Sequence, residues 1–128
     1  MITAVHALIY SDDAEATRAF LRDVLQWSFV EEPDVPGWFI FKSGPSEMAA
    51  HPTHQIHEGV TYDSPRQHLI TLMCDDLATT MADLDRRGAE FTQPVKERGF
   101  GITVMLKVPG ADDIMLYEPR HPTAYRLG

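Results

Sequence analysis

The sequence predicts an α+β fold built from two similar βαβββ modules, and three observations predict it. HALIYSDD (His6–Asp13) and HLITLMCDD (His68–Asp76) are both apolar runs that open on a histidine and close on Asp-Asp. After each, the order of elements is the same: a helix, then three strands. The halves also end alike, in EMAAHP (Glu47–Pro52) and IMLYEP (Ile114–Pro119). Asp75 follows Asp12 by 63 residues and Pro119 follows Pro52 by 67, so the second half carries about four extra residues, which the VPGADD turn can house. The modules span about 1–52 and 67–119, with a linker over 53–66 and a tail over 120–128.

The first element, ITAVHALIY, is rich in β-branched and aromatic residues and reads as a strand. Asp12 then stands as a helix N-cap, with Glu15 at capping-box spacing. Ala16, Phe20 and Val24, with Leu21 and Leu25, form an apolar stripe at helical period. Short strands are expected around WSFVEE, WFIFK and SEMAA, separated by Pro33, Pro36, Gly37, Gly44 and Pro45. HPTHQIHEGVTYDSPRQ is polar, contains two prolines and reads as a connecting loop. HLITLMC is the next strand, and Asp75 caps a helix carrying Leu77, Met81 and Leu84. Gly88 closes it at the position that favours a left-handed residue. EFTQPV, FGITVMLKV and DIMLYEP complete the second set of strands, before the polar tail HPTAYRLG.

Composition narrows the function classes. The chain has 128 residues, 44% of them hydrophobic, enough for one domain with a sizeable core. Its net charge of −8 argues against nucleic acid, whose phosphates call for clustered Lys and Arg. No apolar stretch approaches the roughly 20 residues that span a bilayer, so no membrane partner is expected. MITAVHALIY lacks the charged start of a signal peptide, and the lone Cys74 excludes an internal disulfide; a cytoplasmic location fits both. Cys74 reads as a small core residue rather than a nucleophile. No Gly-rich phosphate loop, G-x-S-x-G elbow or CxxC pair occurs.

The paired modules, the HALIYSDD opening, CDDLATTMADLDRRGAEF and the PG turn before the last strand resemble the vicinal oxygen chelate superfamily, the group of glyoxalase I, extradiol dioxygenases and bleomycin-binding proteins. The resemblance runs to about Pro122. It implies cupped mixed sheets around a cavity, a glyoxalase-like fold, and a dimeric pairing of modules. In the superfamily's enzymes a divalent metal binds to ligands from the first and last strand of each module.

Strand parity tests whether this chain keeps those ligands. Helices cover one face of a cupped sheet, so residues on that face should be apolar, while alternate residues face the cavity. In the first strand Val5, Ala7 and Ile9 form the helix-facing set and His6, Leu8 and Tyr10 the cavity set. Counted back from Asp75, Ile70, Leu72 and Cys74 face the helix, which leaves Leu69, Thr71 and Met73 for the cavity; His68 falls on the helix side. In the last strand Ile114 and Leu116 face the helix, and Met115 and Tyr117 the cavity. The resemblance implies a Glu ligand four residues before each terminal Pro. Counted back from Pro119 and Pro52, those positions are Met115 and Met48. With the cavity-facing His6 and Leu69, the four ligand positions read His6, Met48, Leu69 and Met115. Three of the four carry side chains that do not hold Zn²⁺, Mg²⁺ or Mn²⁺. An alternative set, His6, Glu47, His68 and Glu118, has the right residue types in the right order, but a β-bulge in three strands is needed to aim it inward.

The expected function is a metal-free, bleomycin-binding-like protein that holds a small organic ligand, with no cofactor. Its cavity is walled by His6, Leu8, Tyr10, Met48, Leu69, Thr71, Met73, Met115 and Tyr117. A flat ligand suits mostly apolar walls with few polar groups, and His6 is the best candidate acid or base. The alternatives are a metal-dependent lyase, isomerase or dioxygenase of the superfamily's type, and a non-catalytic structural or regulatory dimer module. His51, His54 and His57 lie three apart but read as a solvated linker. Trp27, Trp38, Phe39 and Phe41 read at least partly as core, and Arg86-Arg87 as complements to a helix dipole. A homodimer is expected, with the tail laid over the partner.

Overall fold

A computed structural model describes Ala4 and residues 6–127. These residues part into two compact units: one runs up to Gly44 and resumes over Ile70–Pro122, the other comprises Pro45–Leu69 and the tail from Thr123.

In the first unit, α1 (Ala14–Ala19) ends in a π-helical turn over Phe20–Val24, and β1 (Phe29–Glu31) pairs antiparallel with β2 (Phe39–Phe41). The unit's larger sheet comes from the second half of the chain. β5 (Thr71–Met73), α2 (Leu77–Arg86), β6 (Lys96–Arg98), β7 (Gly101–Leu106) and β8 (Ile114–Pro119) follow in order. The sheet runs β5-β8-β7-β6, with β5 parallel to β8 and the other neighbours antiparallel. A parallel pair needs a crossover, and α2 supplies it. In the second unit β3 (His54–His57) and β4 (Val60–Asp63) form a hairpin.

The core lies between the four-stranded sheet and the helices. Val104, Leu106, Ile114 and Leu116 from the sheet cluster with Phe20 and Leu21 from the first helix and with Leu77 and Leu84 from α2. Ile9, Ile70, Leu72, Cys74 and Met81 pack against this cluster. Each helical stripe read from the sequence is thus the buried one.

Both helix starts are displaced by one residue. Asp13, not Asp12, accepts from the Ala16 amide at 3.0 Å, and Asp76, not Asp75, accepts from Thr79 at 3.0 Å. The repeat survives, because both caps move together. At the other helix ends the chain turns left-handed, at Gln26 (φ 58°) and at Gly88 (φ 91°). Arg87 from the second half donates to the Val24 carbonyl at 2.6 Å, and so satisfies an orphan carbonyl at the end of the first helix. The VPG turn makes a second tie between the halves. Gly110 accepts from the Asp12 amide at 2.8 Å and the Ser11 hydroxyl at 2.9 Å, while the buried Thr17 hydroxyl donates to Pro109.

Several expected strands differ. Met1–Thr3 and Val5 of the first one lie outside the described residues, and His6–Tyr10 join no ladder. SEMAA is irregular, and the predicted linker loop holds the β3–β4 hairpin instead. Glu58 (φ 50°) and Gly59 (φ 78°) explain that hairpin: two left-handed residues make the turn that joins antiparallel strands. EFTQPV contributes only an isolated bridge from Phe91 to Leu106, and pairing resumes at Lys96. Pro94 within that run has no amide to give a ladder.

The glycine that matters most for packing is Gly101. A Cβ there would stand 2.3 Å from the Glu118 carbonyl oxygen and 3.1 Å from the Tyr117 ring. Gly101→Ala should destabilise the fold by about 1–3 kcal/mol, whereas Gly99→Ala, which meets nothing within 4 Å, should change it little. Urea unfolding of the two variants checks this; equal midpoints would contradict the close approach.

Candidate functional site

The site begins with the two faces of the four-stranded sheet. Cα pairing sets Thr71 opposite Met115 and Met115 opposite Met105; one step along, Met73 lies opposite Tyr117 and Tyr117 opposite Thr103. Because side chains alternate, these six share the face turned away from the helices. On the same face Lys96 pairs with Thr103 and Arg98 with Gly101, and Arg98 Nε donates to the Thr103 hydroxyl at 3.3 Å. The face therefore runs from three methionines to two cations across four strands.

Its residues are unequally covered. Met73, Met105 and Met115 are half-buried, while Thr71, Lys96 and Arg98 are exposed. Tyr117 and Thr103 are buried, at 8% and 3% exposure. The Phe100 ring stands edge-on to Tyr117 at 5.5 Å. His121 lies beyond, with Nε2 at 2.9 Å from the Tyr117 hydroxyl and Nδ1 at 2.7 Å from the Pro122 carbonyl. A carbonyl only accepts, so in the neutral ring Nδ1 carries the proton and Nε2 accepts from Tyr117. Tyr117 is thus held by its own strand's continuation.

The opposite face holds Glu118. Its carboxylate accepts from the Leu77 amide at 3.0 Å, at the first turn of α2, where a negative charge meets the positive end of the helix dipole. Cys74 stands on the same side: its backbone amide donates to the Tyr117 carbonyl at 2.9 Å, and burial pushes its thiol pKa up. That leaves less thiolate at neutral pH, as a structural cysteine requires.

The remaining predicted residues divide between the units. His6, Leu8 and Tyr10 belong to the first unit and are exposed, Tyr10 at 88%. Met48, His68 and Leu69 belong to the second and are exposed as well. Glu47, also in the second unit, accepts from the tail amides of Ala124 at 2.6 Å and Tyr125 at 3.2 Å. The tail therefore returns to its own chain. Among the described residues, neither unit brings together three His, Cys, Asp or Glu side chains in a set that could hold a metal. Of the three spaced histidines, His54 meets Asp63 at 2.6 Å across the hairpin, and all three are exposed.

Among the described residues of the first unit, two concavities stand out. One of about 450 Å³ is bounded by Tyr10, Asp12, Lys107, Gly110 and Asp113. The other, about 250 Å³, lies among Gln26, Trp27, Ser28 and Lys42 at the base of β1–β2. Neither lies on the methionine face, and of the predicted wall residues only Tyr10 borders one.

Sequence reasoning missed Met105, Lys96, Arg98 and His121. Met105 was legible, since FGITVMLKV alternates and Val104 and Leu106 are its apolar set. Lys96 and Arg98 lie beyond EFTQPV, the run whose composition suggests the strand, because continuous pairing begins only after Val95.

Comparison with solved structures defines the class. The fold is that of a lactoylglutathione lyase from Agrobacterium tumefaciens (TM-score 0.58, 19% identity, covering 91% of this chain and 94% of that one). It is also that of TnmS3, an antibiotic binding protein from Streptomyces sp. CB03234 (TM-score 0.56, 18% identity, covering 92% and 97%). A glyoxalase/bleomycin resistance protein/dioxygenase from Nocardioides is similar too (TM-score 0.55, 17% identity, covering 99% and 93%). At these identities the likeness concerns the fold. No curated protein matches the sequence. The sequence does match the model of the Glyoxalase/Bleomycin resistance protein/Dioxygenase superfamily over residues 3–116, and the chain belongs to that superfamily.

Glu118 offers a direct check on the two faces. Glu118→Ala should cost about 1 kcal/mol of stability and raise the exchange rate of the Leu77 amide. Amide hydrogen exchange unchanged at Leu77 would show that the carboxylate is not on the helix side.

Proposed function

We propose that this protein binds a small organic ligand without a hard divalent metal, in the manner of the superfamily's binding members rather than its metalloenzymes. The observation that carries the reading is Met115. It stands among Met73, Met105 and Thr71 on the helix-free face, at the position where the resemblance implies a carboxylate ligand. Thioethers do not hold Zn²⁺, Mg²⁺ or Mn²⁺. The two glutamates of the alternative set, Glu47 and Glu118, are each engaged by backbone amides, an arrangement that does not fit a ligand aimed at a shared ion. On the first unit the proposed binding wall takes in His6, Leu8, Tyr10, Thr71, Met73, Met115 and Tyr117, with His6 as its candidate acid or base. Mostly apolar walls of this kind suit a flat molecule. That TnmS3 is an antibiotic binding protein is consistent with such a role on this fold.

Metal content tests the reading. Untagged protein dialysed against Zn²⁺, Ni²⁺ or Mn²⁺ should retain far less than one equivalent by elemental analysis. Stoichiometric retention that is lost in both His6→Ala and His68→Ala would overturn it in favour of the metalloenzyme.

The working form we propose is a cytoplasmic homodimer. No described helix is long and apolar enough to cross a membrane. Leu8, Val30, Ile56, Tyr62 and Leu69 are each more than half exposed, a burden of apolar surface that association would relieve. Light scattering should give about twice 14.4 kDa. A monomer at tens of micromolar would refute the dimer.

A further inference from the structure

The cations of this acidic chain are mostly spoken for. Arg22 pairs with Asp23, Arg86 with Asp83, Lys107 with Glu90 and Arg120 with Glu97. Arg87 is spent on the Val24 carbonyl, and Arg18 lies over the Trp38 ring. Lys42, Arg66 and Arg126 also make no ion pair among the described residues, but Lys96 and Arg98 differ in sharing one face of one strand. Both are exposed, and among the described residues neither makes an ion pair. Arg98 reaches only the neutral Thr103 hydroxyl. Between them Glu97 points to the other face, where it meets Arg120 at 2.8 Å. The alternation of β6 thus removes the one adjacent carboxylate and leaves two positive groups about 7 Å apart along one edge. They sit on the same face as the methionines. Lys96 is the cross-strand neighbour of Thr103, two residues from Met105 on β7. A carboxylate placed at this edge would find uncompensated charge on a molecule whose net charge is −8.

Building on the small-molecule reading above, we propose that the ligand is an amphiphilic organic anion. Its flat apolar body lies on the polarisable thioethers of Met73, Met105 and Met115, and its acidic group reaches Lys96 and Arg98. Methionine is adapted to the first task, because its unbranched chain and soft sulfur fit irregular or aromatic surfaces. Arg98 is adapted to the second, since a guanidinium can engage both oxygens of a carboxylate. The arrangement also sets an orientation: the acid toward β6 and the ring toward β5.

Two probes of one shape isolate the charge. 2-Naphthoate and its neutral counterpart 2-naphthamide are titrated into the full chain at low salt, with the ¹³C-labelled methionine methyls followed by NMR. Naphthoate should bind about tenfold more tightly than naphthamide, as two solvent-exposed contacts allow, and should move the methyls of Met73, Met105 and Met115 but not that of Met81. In Lys96→Gln/Arg98→Gln the preference should fall to near unity with the naphthamide affinity unchanged, and raised salt should have the same effect. Equal affinities in the wild type, or a preference that survives the double substitution, would overturn the anion assignment. Continued naphthamide binding would then leave the small-molecule reading standing. If neither probe moves the three methyls, both readings fall together. Both substituted side chains are exposed, and a melting curve that matches the wild type confirms a folded variant.

Discussion

The register of β8 between β5 and β7 is the constraint on which the rest of the first unit depends. It turns Ile114 and Leu116 toward Leu77 and Leu84, sets Glu118 against the Leu77 amide that opens α2, and turns Met115 and Tyr117 the other way. A slip of one residue would exchange the two sets at once. Thioethers and a phenol would then enter the core, while Ile114 and Leu116 faced out and α2 lost its carboxylate. Burial of one face is what makes that slip costly, and the same burial dictates the chemistry left on the other face.

Around this strand the two halves are alike in plan and unequal in execution. The second half closes a four-stranded sheet with a helical crossover, whereas the first contributes a helix and a short hairpin. His6–Tyr10 would need a parallel neighbour corresponding to β8, and the segment in that position, SEMAA, is irregular and belongs to the other unit. What joins the halves within the first unit is a few polar contacts around the shared core. Arg87 serves the carbonyl end of the first helix, and the Pro109-Gly110 turn serves Ser11, Asp12 and Thr17. In each case a segment from the second half satisfies backbone or hydroxyl groups of the first, which is how a duplicated sequence becomes one packed unit.

The superfamily fold supports very different chemistry, as a lyase and an antibiotic binding protein among its solved members illustrate. Individual positions therefore carry the functional reading. Met115 has two further methionines, Met73 and Met105, on its own face. At Glu118 a carboxylate does exist, three residues further along the strand, but the pleat turns it to the helix and the helix dipole favours it there. The methionine face, the two cations beside it and the turned-away Glu118 are three consequences of one alternating pattern across adjacent strands.

The sequence by itself determined the repeat, the superfamily, the apolar stripes of both helices and the faces of β5 and β8, because each is a periodic or local property that neighbours along the chain can express. Phe20, Leu21, Leu77 and Leu84 are buried as their spacing indicated, and Ile114 and Leu116 as their parity did. The caps were off by one in both helices, since Asp-Asp offers two equivalent oxygen acceptors and only the backbone path into the helix selects between them. The β3–β4 hairpin escaped notice because its signal is a pair of left-handed residues at Glu58 and Gly59, the first of which is not a residue type that announces a turn. Lys96 and Arg98 became neighbours of a methionine face, His121 the partner of Tyr117, and Glu118 the acceptor of the Leu77 amide only through tertiary structure. These relations join residues through strand pairing or a turn of the chain in space, and no spacing along the sequence encodes which face a partner strand will present.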